Sequence, residues 1–185
     1  MLEELYKEAR EHMHKSVEAV SRELATVRTG KASPHILDMV RVEAYGTTVP
    51  LNQVATINAP EARLLTVQAY DKSTVPDIVK AIQKADLGLN PTVDGNLIRL
   101  AIPPLNEERR KELVRHCKHL AEEGRVAVRN IRRDFNDRLK KMKKDSKISE
   151  DQEADGHDEI QKITDEQIKQ IDEILAKKEK DLMEV

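Results

Sequence analysis

Apolar residues recur at Leu2, Tyr6, Ala9, Met13, Val17, Val20, Leu24 and Val27, in steps of three and four. That spacing predicts one helix from the first residues to about Arg28. Thr29-Gly30 breaks the pattern and Ser33-Pro34 confirms the break. The helical period returns after Pro103-Pro104, with Asn106 as an expected N-cap and Glu107 and Glu108 in the first turn, where the helix dipole favours anions. Its apolar positions are Leu113, Cys117, Leu120, Ala121, Val128, Ile131, Phe135, Leu139 and Met142. A short break at Asp145-Ser146 precedes "ISEDQ", in which Ser149 and Gln152 fit a capping box. The last helix carries Ile160, Ile163, Ile168, Ile171, Leu175 and Leu182. At ~1.5 Å per residue the last two helices should each be roughly 50 to 60 Å long. None of the three can bury its stripe alone, so the pattern predicts an elongated antiparallel three-helix bundle.

The middle of the chain has a different period. "VRVEAY" (Val40 to Tyr45), "LLTVQAY" (Leu64 to Tyr70) and "NLIRLAI" (Asn96 to Ile102) read as short strands. Asp94-Gly95 signals a tight turn before the last of them. A helix is expected from about Val75 to Ala85, with Pro76 in its first turn and Ser73 or Thr74 as cap; Gly88 and Pro91 stop it. The expected fold class is therefore α+β: a bundle from residues 1–29 and 105–185, with a small α+β domain, 30–104, inserted after the first helix.

Composition agrees with narrow apolar seams rather than a thick core: 36% of the residues are charged, 2% are aromatic and there is no Trp. One cysteine excludes an internal disulfide and fits a reducing compartment. "MLEELYKEAREHMHK" lacks the apolar core of a signal peptide, and no apolar run approaches the ~18 to 20 residues of a membrane span. A soluble, cytoplasmic monomer is expected.

Charge changes the picture most at "RVAVRNIRRDFNDRLKKMKK", Arg125 to Lys144. Five arginines and four lysines face two aspartates there, a local +7 in a chain whose net charge is −2. At about 100° per residue, Ile131, Phe135 and Leu139 fall within about 60° of Val128. Arg125, Arg129, Arg132 and Lys143 project beside that seam on one flank, and Arg133 and Lys140 extend the flank outward. Exposed charges on bundle helices are often no more than a solvated face. Here arginine outnumbers lysine four to none over residues 125–133, and its planar fork suits phosphate. A segregated stripe is the footprint expected for nucleic acid, and with so few aromatics the RNA should be structured and recognised by shape and backbone.

"EEGRVAVRNIRRD" (Glu122 to Asp134) resembles the signature of the ribosome recycling factor family. The resemblance continues in "RTGKASP" (28–34), "YGTTVPLNQVATI" (45–57), "DLGLNP" (86–91), "IPPLNEERRKELV" (102–114) and "QKITDE" (161–166), in the family's order and spacing. It implies an L-shaped molecule, a three-helix bundle with an inserted small β/α/β domain, that acts after termination with the GTPase elongation factor G to split the ribosome into subunits. It also implies that the bundle lies on large-subunit ribosomal RNA. Carried over by motif, the contact residues are Arg28, Arg110, Arg129, Arg132 and Arg133; Arg125 joins them from the stripe alone. Helical phase puts Arg110 on the seam side, which fits contact less well. The two crossings between domains, Arg28-Thr29-Gly30 and Ile102-Pro103-Pro104-Leu105, suit a hinge, with Thr29, Gly30, Pro103, Pro104 and Leu105 as its residues.

Other chemistry is not expected. No Gly-rich phosphate loop ends in Lys-Ser or Lys-Thr, so neither nucleotide hydrolysis nor any cofactor is implied. "RHCKH" (115–119) reads as a buried thiol, Cys117, beside two surface histidines, His116 and His119, rather than as a metal site. Two rival classes remain at this stage: a coiled-coil adaptor for a protein partner, and a small enzyme using the α+β domain. "DQEADGHDE" (151–159) departs from the family pattern at Gly156 and His157. A mid-helix glycine costs about 1 kcal/mol, so fraying or a kink is expected in the first turns of the last helix.

Overall fold

In the computed structural model, which describes residues 1–184, the amphipathic stripes form three helices: α1 (Leu2–Ala25), α3 (Glu107–Lys144) and α4 (Glu150–Met183). Their 38 and 34 residues make α3 and α4 about 57 and 51 Å long at ~1.5 Å per residue. Cross-helix contacts fix the directions. Glu8 meets Arg138 while Val20 lies over Gly124, so α3 runs against α1. Arg132 meets Gln161 while Arg125 meets Asp172, so α4 runs against α3 and alongside α1. The seam is buried at Leu5, Ala9, Met13, Val17, Val20 and Leu24 of α1, and at Cys117, Ala121, Val128, Phe135 and Leu139 of α3. Ile160, Ile163, Ile171, Leu175 and Leu182 of α4 complete it. No helix among the described residues is long and apolar enough to cross a membrane.

The α3–α4 connection is closed by backbone chemistry. Ser146 sits at φ 59, and its N–H donates to the Lys143 carbonyl at 2.9 Å while Lys147 N–H donates to Met142 at 2.8 Å. This double bond satisfies the last carbonyls of α3 in a Schellman turn. α4 then starts with the expected capping box: the Ser149 hydroxyl accepts from Gln152 N–H at 3.1 Å, and Gln152 Oε1 accepts from Ser149 N–H at 2.9 Å.

The fraying expected near Gly156 is absent. α4 is continuous through it, and Gly156 is buried beneath Leu139 with the Tyr6 hydroxyl close by. The missing side chain is what lets α4 pack closely here, so tertiary contact offsets the propensity cost. Gly124 performs the same service on α3: a Cβ there would overlap Val20 Cγ2.

The chain divides into two compact units, Met1–Arg28 with the residues from Glu107 onward, and Thr29–Asn106. The second contains β1 (Arg41–Ala44), β2 (Thr47–Pro50), β3 (Ala55–Glu61), β4 (Leu64–Ala69), α2 (Val75–Lys84), β5 (Pro91–Asp94) and β6 (Leu97–Ala101). β1 and β2 form an antiparallel hairpin, and the other four strands form an antiparallel sheet in the order β3-β4-β6-β5. Leu65 and Val67 of β4, Ile98 and Leu100 of β6, Ile78 and Ile82 of α2 and Val42 of β1 bury one shared core. The strand signals at 40–45, 64–70 and 96–102 correspond to β1, β4 and β6. β2, β3 and β5 carried no such signal. β3 and β5 are edge strands with mostly exposed side chains, and each holds a proline, tolerated at an edge or bulge. The cap of α2 also differs from expectation. Thr74 makes no side-chain cap; instead the Asp71 carboxylate accepts from Ser73 N–H at 2.9 Å, closing a 3-10 turn that leads into the helix.

Within this unit the two crossing segments are held close together. Gly30 has φ +76, and a Cβ on it would stand 3.1 Å from Leu105 Cγ. Ala32 N–H donates to the Ala62 carbonyl and Ile102 N–H to the Arg63 carbonyl, so one turn between β3 and β4 anchors both chains.

Candidate nucleic-acid interface

The basic stretch occupies the second half of α3, and neighbouring helices sort its cations into three groups. Arg125 is drawn inward, with only 19% of its side chain exposed. Its Nε donates to Asp172 Oδ1 at 2.8 Å and its Nη1 to Glu122 Oε2 at 3.0 Å, tying α3 to α4. Helical phase alone puts Arg125 on the flank of the stripe; the structure turns it toward Asp172, which comes from a helix 47 residues on, beyond any single-helix projection.

Arg129 shares Glu122, at 3.3 Å, and keeps 40% of its side chain exposed. Arg132 has a neutral partner. Its Nη1 donates to Gln161 Oε1 at 3.3 Å, while Gln161 Nε2 donates to Asp165 at 2.9 Å. That amide steers the guanidinium without cancelling its charge. Arg133 and Lys140 are exposed and make no hydrogen bond or ion pair among the described residues. On the opposite flank Arg138 pairs with Glu8 at 2.9 Å and stacks over Phe135, 4.6 Å from the ring centre. The accessible stripe is thus Arg129, Arg132, Arg133 and Lys140, together with Lys143, which pairs with Glu153 at 3.5 Å.

The other sequence-derived residues lie elsewhere. Arg110 is half-buried near the start of α3, and its Nε is buried without a partner, as its seam-side phase implied. Arg28 is exposed after the end of α1. Thr29, Gly30, Pro103, Pro104 and Leu105 fall on the two crossings. Cys117 is buried, which raises its thiol above the ordinary 9.0, while His116 and His119 are exposed, His119 lying 3.0 Å from Glu123. No group of three His, Cys, Asp or Glu that could hold a metal ion comes together among the described residues.

Ion pairing has a pH consequence. Hydrogen bonds from Arg125, Arg138 and His157 hold the Glu122, Glu8 and Glu153 carboxyls below the ordinary 4.5. With folded values lower than unfolded ones, their contribution is complete above that value and is lost as pH falls through the folded values. The thermal midpoint should therefore drop between about pH 5 and about pH 3, and more shallowly in Glu122→Gln. Scanning calorimetry across that window checks this; an unchanged slope in the variant would remove Glu122 from the account.

With this geometry in hand, the comparisons with known proteins are specific. A family model described as ribosome recycling factor matches residues 20–183. The chain is 54% identical over 185 residues to the ribosome-recycling factor of Carboxydothermus hydrogenoformans and 55% identical over 185 residues to that of Bacillus subtilis, with all of each chain covered. It is similar to a solution structure of the ribosome recycling factor, with a TM-score of 0.77, 43% identity and coverage of 100% of this chain and 98% of that one. A second similar structure has a TM-score of 0.65, 50% identity and full coverage of both chains. It belongs to models of the T. thermophilus ribosome recycling factor and E. coli elongation factor G bound to the E. coli post-termination complex.

Proposed function

The chain belongs to the ribosome recycling factor family, and from that premise we propose that it acts after translation termination, together with the GTPase elongation factor G, to split the ribosome into subunits. The observation that carries the reading is full-length similarity, at 50% identity, to a recycling factor described with elongation factor G on a post-termination complex.

In this reading the bundle rests on large-subunit ribosomal RNA through Arg129, Arg132 and Arg133, with Arg28 and Arg110 as further contacts. Arg125 contributes as a brace that holds α3 against α4 behind the contact surface. Backbone phosphates are the expected ligands, since guanidinium forks pair with phosphate in two parallel hydrogen bonds. Exposed Arg133 and the uncompensated charge of Arg132 support this.

The Thr29–Asn106 unit then moves relative to the bundle about the paired crossings. Gly30 supplies a backbone conformation that other residues adopt only with strain, and Pro103-Pro104 stiffens the second strand. Chemistry is left to the GTPase; this chain converts motion of its partner into displacement at the subunit junction. An engineered disulfide joining the two units, in a Cys117→Ala background, should slow splitting by at least about tenfold while leaving ribosome binding intact, with reductant restoring the rate. Full-speed splitting by the oxidised, locked protein would sink the hinge. Failure of the unlocked protein to split ribosomes at all would sink the recycling reading itself.

A further inference from the structure

The arginine stripe contains an internal repeat that α4 treats unequally. Arg132 stands seven residues after Arg125 on α3, and Asp165 stands seven before Asp172 on α4. Seven residues return a helix to nearly the same face. Because α3 and α4 run in opposite directions, Arg132 comes opposite Asp165 much as Arg125 comes opposite Asp172. The two arginines nevertheless end differently. Arg125 reaches its aspartate directly, its Nε donating to Asp172 Oδ1 at 2.8 Å and its Nη2 lying 2.6 Å from the same oxygen. Arg132 forms no ion pair among the described residues; its Nη1 donates to the neutral Gln161 Oε1 at 3.3 Å.

The difference lies one helical turn before each aspartate, where Asp172 has Ile168 and Asp165 has Gln161. Isoleucine offers no side-chain donor, so the Asp172 carboxylate is open to Arg125. Gln161 Nε2 instead donates to Asp165 Oδ1 at 2.9 Å, a bond between neighbours four apart on one helix face. An amide has one donor end and one acceptor end. With its nitrogen on the carboxylate, its oxygen is the end left for Arg132. A neutral group therefore stands between the guanidinium and the nearest opposing charge. Direct pairing would do to Arg132 what Asp172 and Glu122 do to Arg125, which is drawn in to 19% side-chain exposure.

We propose that Gln161 is a positioning residue of the nucleic-acid interface: it occupies the Asp165 carboxylate and so keeps the Arg132 guanidinium available to a backbone phosphate. The role rests on the reading of Arg132 as an RNA contact. It adds to the interface a residue of α4 that carries no charge of its own. It also explains why one register position of the repeat yields a brace, Arg125, and the next an open cation, Arg132.

The test is pelleting of the full chain with isolated large ribosomal subunits, for Gln161→Met, Asp165→Asn, the two together, and Arg132→Ala. Methionine matches glutamine in length and helix propensity but makes neither hydrogen bond. Gln161→Met should weaken binding by about fivefold, the strength of a well-formed exposed ion pair that phosphate must then displace. Asp165→Asn alone should change binding by less than about twofold, because Gln161 already occupies that carboxylate. Added to Gln161→Met, the same change should restore nearly native affinity, a rescue that a merely structural role does not give. A crystal structure of Gln161→Met should show Arg132 on Asp165 as Arg125 is on Asp172. Undiminished binding by Gln161→Met, or an equal gain from Asp165→Asn with and without it, overturns the role. So does a Gln161→Met structure in which Arg132 stays away from Asp165. Arg132→Ala that binds like the native chain overturns the RNA contact itself, and the crystal structure separates that failure from a failure of the Gln161 geometry.

Discussion

Replacing Arg129, Arg132 and Arg133 together by alanine is expected to weaken binding to isolated large ribosomal subunits by about a hundredfold or more near physiological salt. Each charge-assisted hydrogen bond to phosphate is worth roughly 1.5 to 3 kcal/mol, and three removed together exceed the ~2.7 kcal/mol of a hundredfold loss. The second signature is the salt dependence. Every phosphate neutralised releases counterions, so the slope of log K against log salt should fall by about two to three. Arg125→Ala should behave differently. Its guanidinium already faces Asp172 and Glu122, so its loss should destabilise the bundle while leaving the slope nearly unchanged. Pelleting of subunits across a salt series separates the two variants. Equal slopes for the triple variant and the native chain would make the stripe an ordinary solvated face.

Gly124→Ala is expected to destabilise the bundle by about 2 kcal/mol or more, although alanine is the better helix former by about 1 kcal/mol. The added Cβ would overlap Val20 Cγ2. Valine has a single strongly preferred rotamer in a helix, so relief requires the two backbones to separate. Gly156→Ala provides the contrast. There the Cβ would meet the Leu139 methyl ends, at 2.9 and 3.1 Å, and a leucine can turn them aside. Propensity gain and crowding should nearly cancel, within about 1 kcal/mol of the native stability. Denaturant unfolding of both variants tests this. A Gly124→Ala chain as stable as Gly156→Ala would mean that the close α1–α3 approach is not needed.

The three long helices and the capping box at Ser149 were legible because amphipathic period and local hydrogen bonding are properties of contiguous residues. β4 and β6 were legible for a related reason: they are central strands, buried at Leu65, Val67, Ile98 and Leu100. The edge strands β3 and β5 were not, because exposed positions and prolines leave no alternation to read. Gly156 shows the limit of propensity. Its meaning depends on Leu139 and Tyr6, which are distant in sequence and adjacent only after folding.

The candidate site divides along the same line. That cations gather on one flank of α3 follows from helical phase alone. Which of them stay accessible depends on α4, which supplies Asp172 to Arg125 and Gln161 to Arg132. Nothing local to residues 125–133 distinguishes the braced arginine from the exposed ones.

The most direct test of the recycling reading is light scattering from purified post-termination ribosomes mixed with this chain, with elongation factor G and GTP, or with both. Scattering should fall, as subunits part, only when both are present, and the Arg129/Arg132/Arg133 variant should not support the fall. An undiminished signal with both present, or an equal fall without this chain, would contradict it.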